Sequence, residues 1–449
     1  MLRDDTGIIF NRELVPGFRL LADEMPGATG VAIGLWFPVG SALERDGERG
    51  LSHFVEHMVF KGAGDRDAAE LSRSIDRVGG YLNAFTEREA VCLHCLVPAR
   101  HAELAVDILM DMAYRPRLSA VEFEREKDVI VNEILAAEDD LEEAAQDEFF
   151  ALAYDGHPAA RRIAGEVGDI REAVFSSLAE FHDERFSRGP VTLTVSGAVQ
   201  AEALAERVVA ALPAQRRSAS GLAEAWDPGE PRFVRCRRMV KAEGSQVYLF
   251  TGLPIEPTIS EDDFWRLSVA SMAYGESMSS RLFMRLREER GLCYGISSAF
   301  SLSRYAGLWG VSSSTTPAQL SRFSEAYLSE ARSLHREGLT EIEVDEALSR
   351  MRGMLELASE DPEFRMKRLA RQYMYDGGAE TVDATMARLD DGGAVDPVSV
   401  NRIIMDRLDP DGESVLLYGK IGAKAAMAGA SAFGAEFDEA HSSGGGGHG

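Results

Sequence analysis

Two histidines and a glutamate in the order His-x-x-Glu-His are the residues of this sequence whose types and spacing best suit chemistry. They are His53, Glu56 and His57. At about 100° per residue, a helix places these three side chains on one face and the neighbouring apolar side chains almost opposite. Two imidazoles four residues apart can each give a nitrogen to one Zn²⁺, whereas the glutamate reaches a water molecule on the metal rather than the metal itself. The pattern predicts an amphipathic helix with a zinc site on its polar face.

A catalytic zinc ion needs a third protein ligand and an open coordination position. Glu126 and Glu133 supply candidates, because a separation of seven residues puts them about 20° apart on a helix. The start of that helix is marked by Ser119 with Glu122 three residues later, the pattern of a capping box. Taken alone, the segment could equally be the acidic, solvated face of an ordinary helix, and the two histidines could be surface residues.

The capping pattern occurs again at Thr340 and Glu343 and indicates a weak internal duplication. Strand-like stretches at 91–97 and 306–312 precede the two helix starts, and residues 213–231 have no sustained period and carry prolines, serines and glycines. We therefore predict an α+β fold of two homologous halves. The predicted order is an N-terminal domain with the zinc site at 1–215, a linker at 216–231, a second domain without a metal site at 232–435 and a disordered, glycine-rich tail at 436–449.

Composition narrows the classes of function. The 449 residues are 45% hydrophobic, yet no apolar run approaches the roughly 20 residues of a membrane-spanning helix, so no membrane is expected as a partner. With 74 acidic and 48 basic residues the net charge is -26, which repels nucleic acid and attracts cationic partners. The first residues resemble no export signal and only four cysteines are present, so we expect a cytoplasmic protein. Strand alternation puts Cys92 and Cys95 on opposite faces, which favours core cysteines over a metal or redox pair.

These residues together resemble the pitrilysin/insulinase superfamily of zinc peptidases, family M16. The resemblance rests on the His-x-x-Glu-His motif with the two later glutamates, and it runs over nearly the whole chain. The length and the single pair of halves are most similar to the short bacterial members, which are similar to the β subunit of the mitochondrial processing peptidase. Further matching segments are Asn83-Ala84-Phe85-Thr86, Tyr154-Asp155-Gly156-His157-Pro158 and Ser279-Ser280-Arg281-Leu282-Phe283.

The resemblance implies a role for each motif residue of the first half. His53, His57 and Glu133 would bind one zinc ion per chain, and Glu56 would be the general base that acts on a zinc-activated water. Glu126 would be a carboxylate that orients one of the ligands. The segment Asn83 and Ala84 would lie on a strand edge beside the metal, where an extended peptide binds through its main chain. On the residues alone, Asn83 could simply end a turn.

We predict no metal site in the second half. The positions of the two glutamates, counted from the repeated cap, hold Ala347 and Met354. The resemblance instead implies that Arg287 and Tyr294 contact the substrate and its tetrahedral intermediate. On sequence alone these two would be a surface arginine and a packed tyrosine.

The implied activity is that of a zinc-dependent endopeptidase. In this interpretation each half is a mostly antiparallel sheet covered by helices, and the halves form a clam-shell chamber in a homodimer that admits peptides or unfolded segments. Basic peptides are favoured by the acidic balance. Two alternatives stay open: a non-catalytic or partner-dependent subunit of a processing-peptidase-like heterodimer that binds peptides, and a peptide-binding protein with a vestigial site.

Overall fold

The computed structural model describes residues 2–4, 7–217, 226–390, 394–423, 427, 429, 432–433 and 438–441. Its chain forms two compact units, each built from three separate segments. The first unit comprises Met1–Leu135, Arg161–Pro228 and Met354–Ala387, and the second comprises Ala136–Ala160, Gly229–Gly353 and Arg388–Gly449.

The described chain contains both strands and helices. The strands are β1 Leu2–Asp4, β2 Gly7–Val15, β3 Phe18–Glu24, β4 Gly30–Phe37, β5 Gly62–Ala63, β6 Arg66–Asp67, β7 Tyr81–Thr86, β8 Val91–Pro98, β9 Val191–Gly197, β10 Arg237–Lys241, β11 Val247–Ile255, β12 Gly295–Leu302, β13 Gly307–Thr315, β14 Ser414–Gly419 and β15 Asp438–His441. The helices are α1 Leu51–Val59, α2 Ala68–Asp76, α3 Ala102–Tyr114, α4 Ala120–Asp139, α5 Leu141–Ala153, α6 Val167–Glu172, α7 Phe175–Phe181, α8 Ala201–Ala211, α9 Ala214–Arg217, α10 Glu261–Ser271, α11 Leu320–Glu337, α12 Glu341–Ala358, α13 Pro362–Asp376, α14 Val382–Asp390 and α15 Pro397–Arg407. No helix in the described ranges is long and apolar enough to cross a membrane.

Each unit is built on one mixed sheet. The first sheet has the strand order β1-β2-β3-β9-β4-β8-β7, and only the β3–β9 pair is parallel. The second has the order β12-β13-β11-β14-β10-β15, with β10 parallel to both neighbours. The predicted α+β class with mostly antiparallel sheets is therefore confirmed.

The internal duplication is visible in the strand order. Five strands of the first sheet, β3-β9-β4-β8-β7, match β10-β14-β11-β13-β12 of the second in order and in direction. Helices α4 and α12 also begin one residue after the predicted caps, at Ala120 and Glu341. At the second cap, Thr340 N–H donates to the Glu343 carboxylate at 2.8 Å, and Glu343 N–H donates back to the Thr340 hydroxyl at 3.2 Å. The two halves thus share one topology, as the repeated pattern indicated.

The compact units differ from the domains predicted at 1–215 and 232–435. Each unit includes a helical segment that comes from the other half of the chain. Helix α5 belongs to the second unit and its counterpart α13 to the first. Helix α13 covers an apolar sheet surface around Trp36. It can approach closely because position 34 is glycine, where a Cβ would lie 2.4 Å from the Met366 sulfur. Arg365 Nε of this helix donates to Asp23 Oδ2 at 2.6 Å.

The predicted linker and the predicted disordered tail both differ in part from the structure. Helix α9 runs to Arg217 and so overlaps the start of the predicted linker, while 218–225 lie outside the described residues. The tail predicted as disordered contains β15, Asp438–His441, which pairs in parallel with β10. The prediction is wrong for these four residues, because the backbone groups along the edge of β10 can pair with another strand whatever its composition.

The predicted apolar stripe of the metal-motif helix is buried. Helix α1 contributes Leu51, Phe54, Val55, Met58 and Val59 to the first core. The Phe54 ring stacks on Phe123 of α4, with ring centroids 4.5 Å apart and planes inclined by 9°. This contact ties the two motif-bearing helices together. Cys92 and Cys95 are core residues as predicted: Cys95 lies in this core and Cys92 in the cluster under α13.

Replacing Phe54 by alanine should therefore destabilise the first unit. Removing a fully buried phenylalanine costs about 3–5 kcal/mol of the free energy of unfolding. Thermal denaturation of the metal-free protein measures this loss. Val121→Ala on α4, where Val121 is 62% exposed, is the control and should change stability by no more than about 0.5 kcal/mol. Equal losses in the two variants would contradict the role given to the aromatic stack.

Candidate metal centre

Helix α1 presents the motif residues on the face opposite its buried stripe. The rings of His53 and His57 lie edge to face, with centroids 4.6 Å apart and an angle of 67° between the planes. Both imidazoles keep 16% of their side-chain surface exposed, so a small ligand can reach them. The predicted helical context of the His-x-x-Glu-His pattern is therefore present.

Helix α4 brings the third predicted ligand to the same place. His57 Nε2 lies 3.3 Å from Glu133 Oε2, and His53 Nε2 lies 3.9 Å from the same oxygen. One ligand atom from each of the three residues falls within 4.8 Å of the others. Two imidazole nitrogens and one carboxylate oxygen are a donor set that Zn²⁺ favours, and three protein donors leave a position open for water or substrate. The residues fit the ion that the motif implies.

Glu126 fixes the orientation of one imidazole. Its Oε2 accepts from His57 Nδ1 at 3.0 Å, and its Oε1 lies 2.5 Å from Lys61 Nζ. Because a carboxylate only accepts, this hydrogen bond requires a proton on Nδ1, and Nε2 is the ring nitrogen that faces Glu133 and could bind a metal ion. Glu126 is buried, whereas Glu133 is half exposed. The buried carboxylate can therefore orient His57, and the exposed one can bind a cation.

The electrostatics of His53 suit a metal ligand. Burial, with the neighbouring charge of His57 as a smaller cause, lowers the pKa of His53 to about 4. A neutral imidazole keeps a lone pair available at neutral pH. Its Nδ1 is buried and has no hydrogen-bond partner among the described residues. The orientation of this ring therefore depends on its helix.

Glu56 is held by a strand that packs beside α1. The hydroxyl of Thr86, the last residue of β7, donates to Glu56 Oε2 at 2.5 Å. Burial raises the pKa of Glu56 above its ordinary value, and the Thr86 hydrogen bond and His57 partly oppose this shift. One carboxylate oxygen is thus fixed by the hydroxyl, which leaves the other for a proton.

The predicted substrate strand lies at the edge of the first sheet. Strand β7 pairs with β8 on one side, and within the described ranges no strand pairs with its other edge. Asn83 is exposed, and its Nδ2 donates to the Tyr81 hydroxyl at 2.6 Å. Ala84 is 7% exposed and belongs to the first core, and its N–H donates to Asn83 Oδ1 at 2.9 Å.

Arg287 and Tyr294 lie together in the second unit. The Arg287 guanidinium is 4.4 Å from the centroid of the Phe283 ring and 5.9 Å from that of Tyr294. Tyr294 is 82% exposed, so the prediction of a packed tyrosine from sequence alone is wrong. The counterparts of the two α4 glutamates, Ala347 and Met354, lie on α12 and offer no carboxylate to a metal ion.

Three residues that contact this centre or its helix were not singled out from the sequence. Thr86 ends one of the segments that carry the family resemblance, but the sequence assigns it no role. Lys61 follows His57 by one helical turn, a spacing that could have drawn attention to it. Glu44 accepts hydrogen bonds from the first turn of α1 although it lies outside the helix, and no local pattern marks it.

Two family models match this chain. The family model described as Insulinase (Peptidase family M16) matches residues 19–167, and the one described as Peptidase M16 inactive domain matches residues 174–351. A protein of Mycobacterium tuberculosis named as an uncharacterized zinc protease is 30% identical over 400 residues, which covers 87% of this chain and 89% of the relative. The uncharacterized zinc protease YmxG of Bacillus subtilis is 30% identical over 83% of this chain and 90% of its own.

Solved structures show the same fold at lower identity. A protease from Helicobacter pylori superposes with a TM-score of 0.83 at 16% identity, over 92% of this chain and 99% of the other. The structure described as a peptidase M16 inactive domain from Pseudomonas fluorescens gives a TM-score of 0.80 at 19% identity, over 93% and 98% of the two chains. By its two family matches and its relatives at 30% identity, the chain belongs to peptidase family M16, the insulinase family.

Proposed function

We propose that this protein is a zinc-dependent endopeptidase that hydrolyses peptides or unfolded segments, with one zinc ion per chain. The observation that carries the proposal is the convergence of His53, His57 and Glu133, whose ligand atoms lie within 4.8 Å of one another beside Glu56. Relatives named as zinc proteases support the choice of metal. When bound, zinc supplies a Lewis acid that polarises a carbonyl and lowers the pKa of water.

The residues of the chain perform the proton transfers in this proposal. Glu56 accepts a proton from the attacking water with the oxygen that Thr86 leaves free, and it then gives the proton to the departing amine. Glu126 keeps the His57 proton on Nδ1 throughout. No covalent bond forms between the chain and the substrate, because the nucleophile is water.

The exposed edge of β7 offers a place for the substrate. A peptide that adds to this edge as a further strand is held through its main chain, so its sequence is read only weakly. Asn83 and Ala84 lie on that edge and would be the first contacts. We assign Arg287 and Tyr294 to the substrate and to the developing oxyanion.

The proposal extends to assembly and location. Because one chain carries the zinc-ligand set and the Arg287–Tyr294 pair, we favour a self-sufficient homodimer that encloses a chamber over a heterodimer. The charge of -26 favours basic peptides as substrates. Four free cysteines agree with a cytoplasmic location.

Glu56→Gln tests the general base. We expect peptide cleavage to fall by about 10²–10⁴-fold, because the amide cannot take a proton from water, while zinc stays bound. Mass spectrometry of a pool of short peptides measures the products, and Glu124→Gln on the exposed face of α4 is the matched control. Cleavage that survives in Glu56→Gln would contradict the assignment. No cleavage by zinc-loaded wild type would favour the peptide-binding or partner-dependent subunit.

Glu126→Ala tests the orienting carboxylate. Loss of the bond to His57 Nδ1 should weaken zinc binding by about 10–100-fold, because the ring and its tautomer are no longer fixed. Competition with a chelator of known affinity measures the dissociation constant. Glu124→Ala removes a carboxylate from the same helix without touching the centre and should leave the constant unchanged. The two variants behaving alike would refute the orienting role.

Tyr294→Phe tests the oxyanion donor of the second unit. Removing one such donor should lower kcat by about 10²–10³-fold with a smaller change in KM. Steady-state kinetics on one cleaved peptide separates the two constants. Tyr248→Phe, a tyrosine of β11 in the same unit, is the control. An unchanged kcat with a raised KM would instead make Tyr294 a binding residue only.

A further inference from the structure

We propose that Glu44 is a positioning residue of the metal centre: its carboxylate fixes the first turn of α1 and thereby holds His53 for zinc. The inference rests on the proposed function, because it concerns the same zinc site. It adds a residue that neither the motif nor the family matches single out.

The Glu44 side chain caps helix α1 from a position outside the helix. Its Oε2 accepts from Gly50 N–H at 2.9 Å and its Oε1 from Ser52 N–H at 2.8 Å. The first N–H groups of a helix have no partner within the helix, and side-chain oxygens usually satisfy them. Leu51 N–H, between the two, donates to the Glu48 carbonyl at 2.9 Å. Glu44 therefore satisfies two of the first donors of α1.

The cap residue of α1 cannot perform this task itself. Gly50 occupies the N-cap position with φ +79°, a left-handed conformation that favours glycine. A Cβ at this position would lie 2.7 Å from the carbonyl oxygen of Ala164, so there is no room for a capping side chain. The Glu44 carboxylate, from the segment just before the helix, satisfies two of these amides instead. Its charge also complements the positive end of the helix dipole.

His53 depends on this first turn more than His57 does. It is the third residue of α1 and directly follows Ser52, whose amide Glu44 binds. His57 lies in the last turn, where Glu126 holds its ring directly. The His53 ring has no such partner at Nδ1 among the described residues. With no hydrogen bond at Nδ1, the placement of its nitrogen donor depends more on the helix backbone than that of His57 does.

Glu44 is itself rigidly placed. It is 1% exposed, and Arg161 Nη1 donates to its main-chain carbonyl. Arg161 is fixed in turn by Asp46, whose Oδ1 accepts from Nη2 at 2.9 Å. A buried carboxylate is costly unless it is hydrogen-bonded, and the two amides supply those bonds. Burial raises the pKa of Glu44 to about 7, so the test is made at pH 8.

The test compares two helix-capping carboxylates of the same unit. Glu44→Gln keeps the size of the side chain but replaces one acceptor oxygen by a donor that faces an amide. Asp67→Asn is the matched control: Asp67 Oδ1 accepts from Glu70 N–H at 2.8 Å at the start of α2, which carries none of the zinc ligands. The readouts are the zinc dissociation constant from chelator competition and the melting temperature of the metal-free protein.

We expect Glu44→Gln to bind zinc about 10–100-fold more weakly than wild type, as for loss of other groups that support metal ligands. Asp67→Asn should lower the melting temperature without a change in zinc affinity. Glu44→Asp, which keeps the charge but withdraws the carboxylate by one methylene, should also weaken zinc binding and serves if Glu44→Gln fails to fold.

Two results would overturn the inference. A lower melting temperature with unchanged zinc affinity in the Glu44 variants would reduce Glu44 to a structural cap, while the proposed function would stand. A wild type that binds no zinc would reject the proposed function, and the inference with it.

Discussion

The stack of Phe54 on Phe123 joins the two helices on which the candidate centre depends. Helix α1 is only nine residues long, so its histidines are rigid only if its apolar face is fixed in the core. Helix α4 brings Glu126 and Glu133 within reach through the same contact. Polar bonds then refine the arrangement at each end: Glu44 at the first turn and the pair of Glu126 and Lys61 at the last. Apolar burial thus sets the position of the helices, and buried carboxylates set the direction of the ligands.

The two halves share a fold, but only the first carries the candidate metal ligands. Both halves keep the same order of five strands and the same Ser/Thr-x-x-Glu sequence before the long helix, α4 or α12. In the second half, the two glutamate positions hold Ala347 and Met354. Helix α10, the first α-helix after β11 as α1 is after β4, contains no histidine. These changes remove metal donors without disturbing the sheet, because the affected side chains lie on helices beside it. The exchange of α5 and α13 makes each compact unit depend on both halves of the chain.

Much of this arrangement could be predicted from sequence, and the part that could not depends on distant contacts. The helical periods placed His53 and His57 opposite a buried stripe, and the spacing of seven placed Glu126 and Glu133 on one face. That these two faces meet was implied only by the family resemblance, because periodicity says nothing about which helices pack together. The support from Glu44 was not foreseen, because a side chain outside the helix supplies it to backbone amides, for which no sequence pattern exists. The exchange of α13 was not foreseen either, since it depends on close approach at Gly34. Strand β15 was missed because a strand at a sheet edge is stabilised by its neighbour's backbone more than by its own composition.

The central claim is that the two histidines of α1 and Glu133 of α4 form one metal site. Anomalous diffraction from crystals of the zinc-loaded protein, collected on both sides of the zinc absorption edge, tests it most directly. The account predicts one strong zinc peak per chain among the side chains of His53, His57 and Glu133, and none near α12. A peak at another set of residues, or no peak in crystals grown from protein shown to contain zinc, would contradict it.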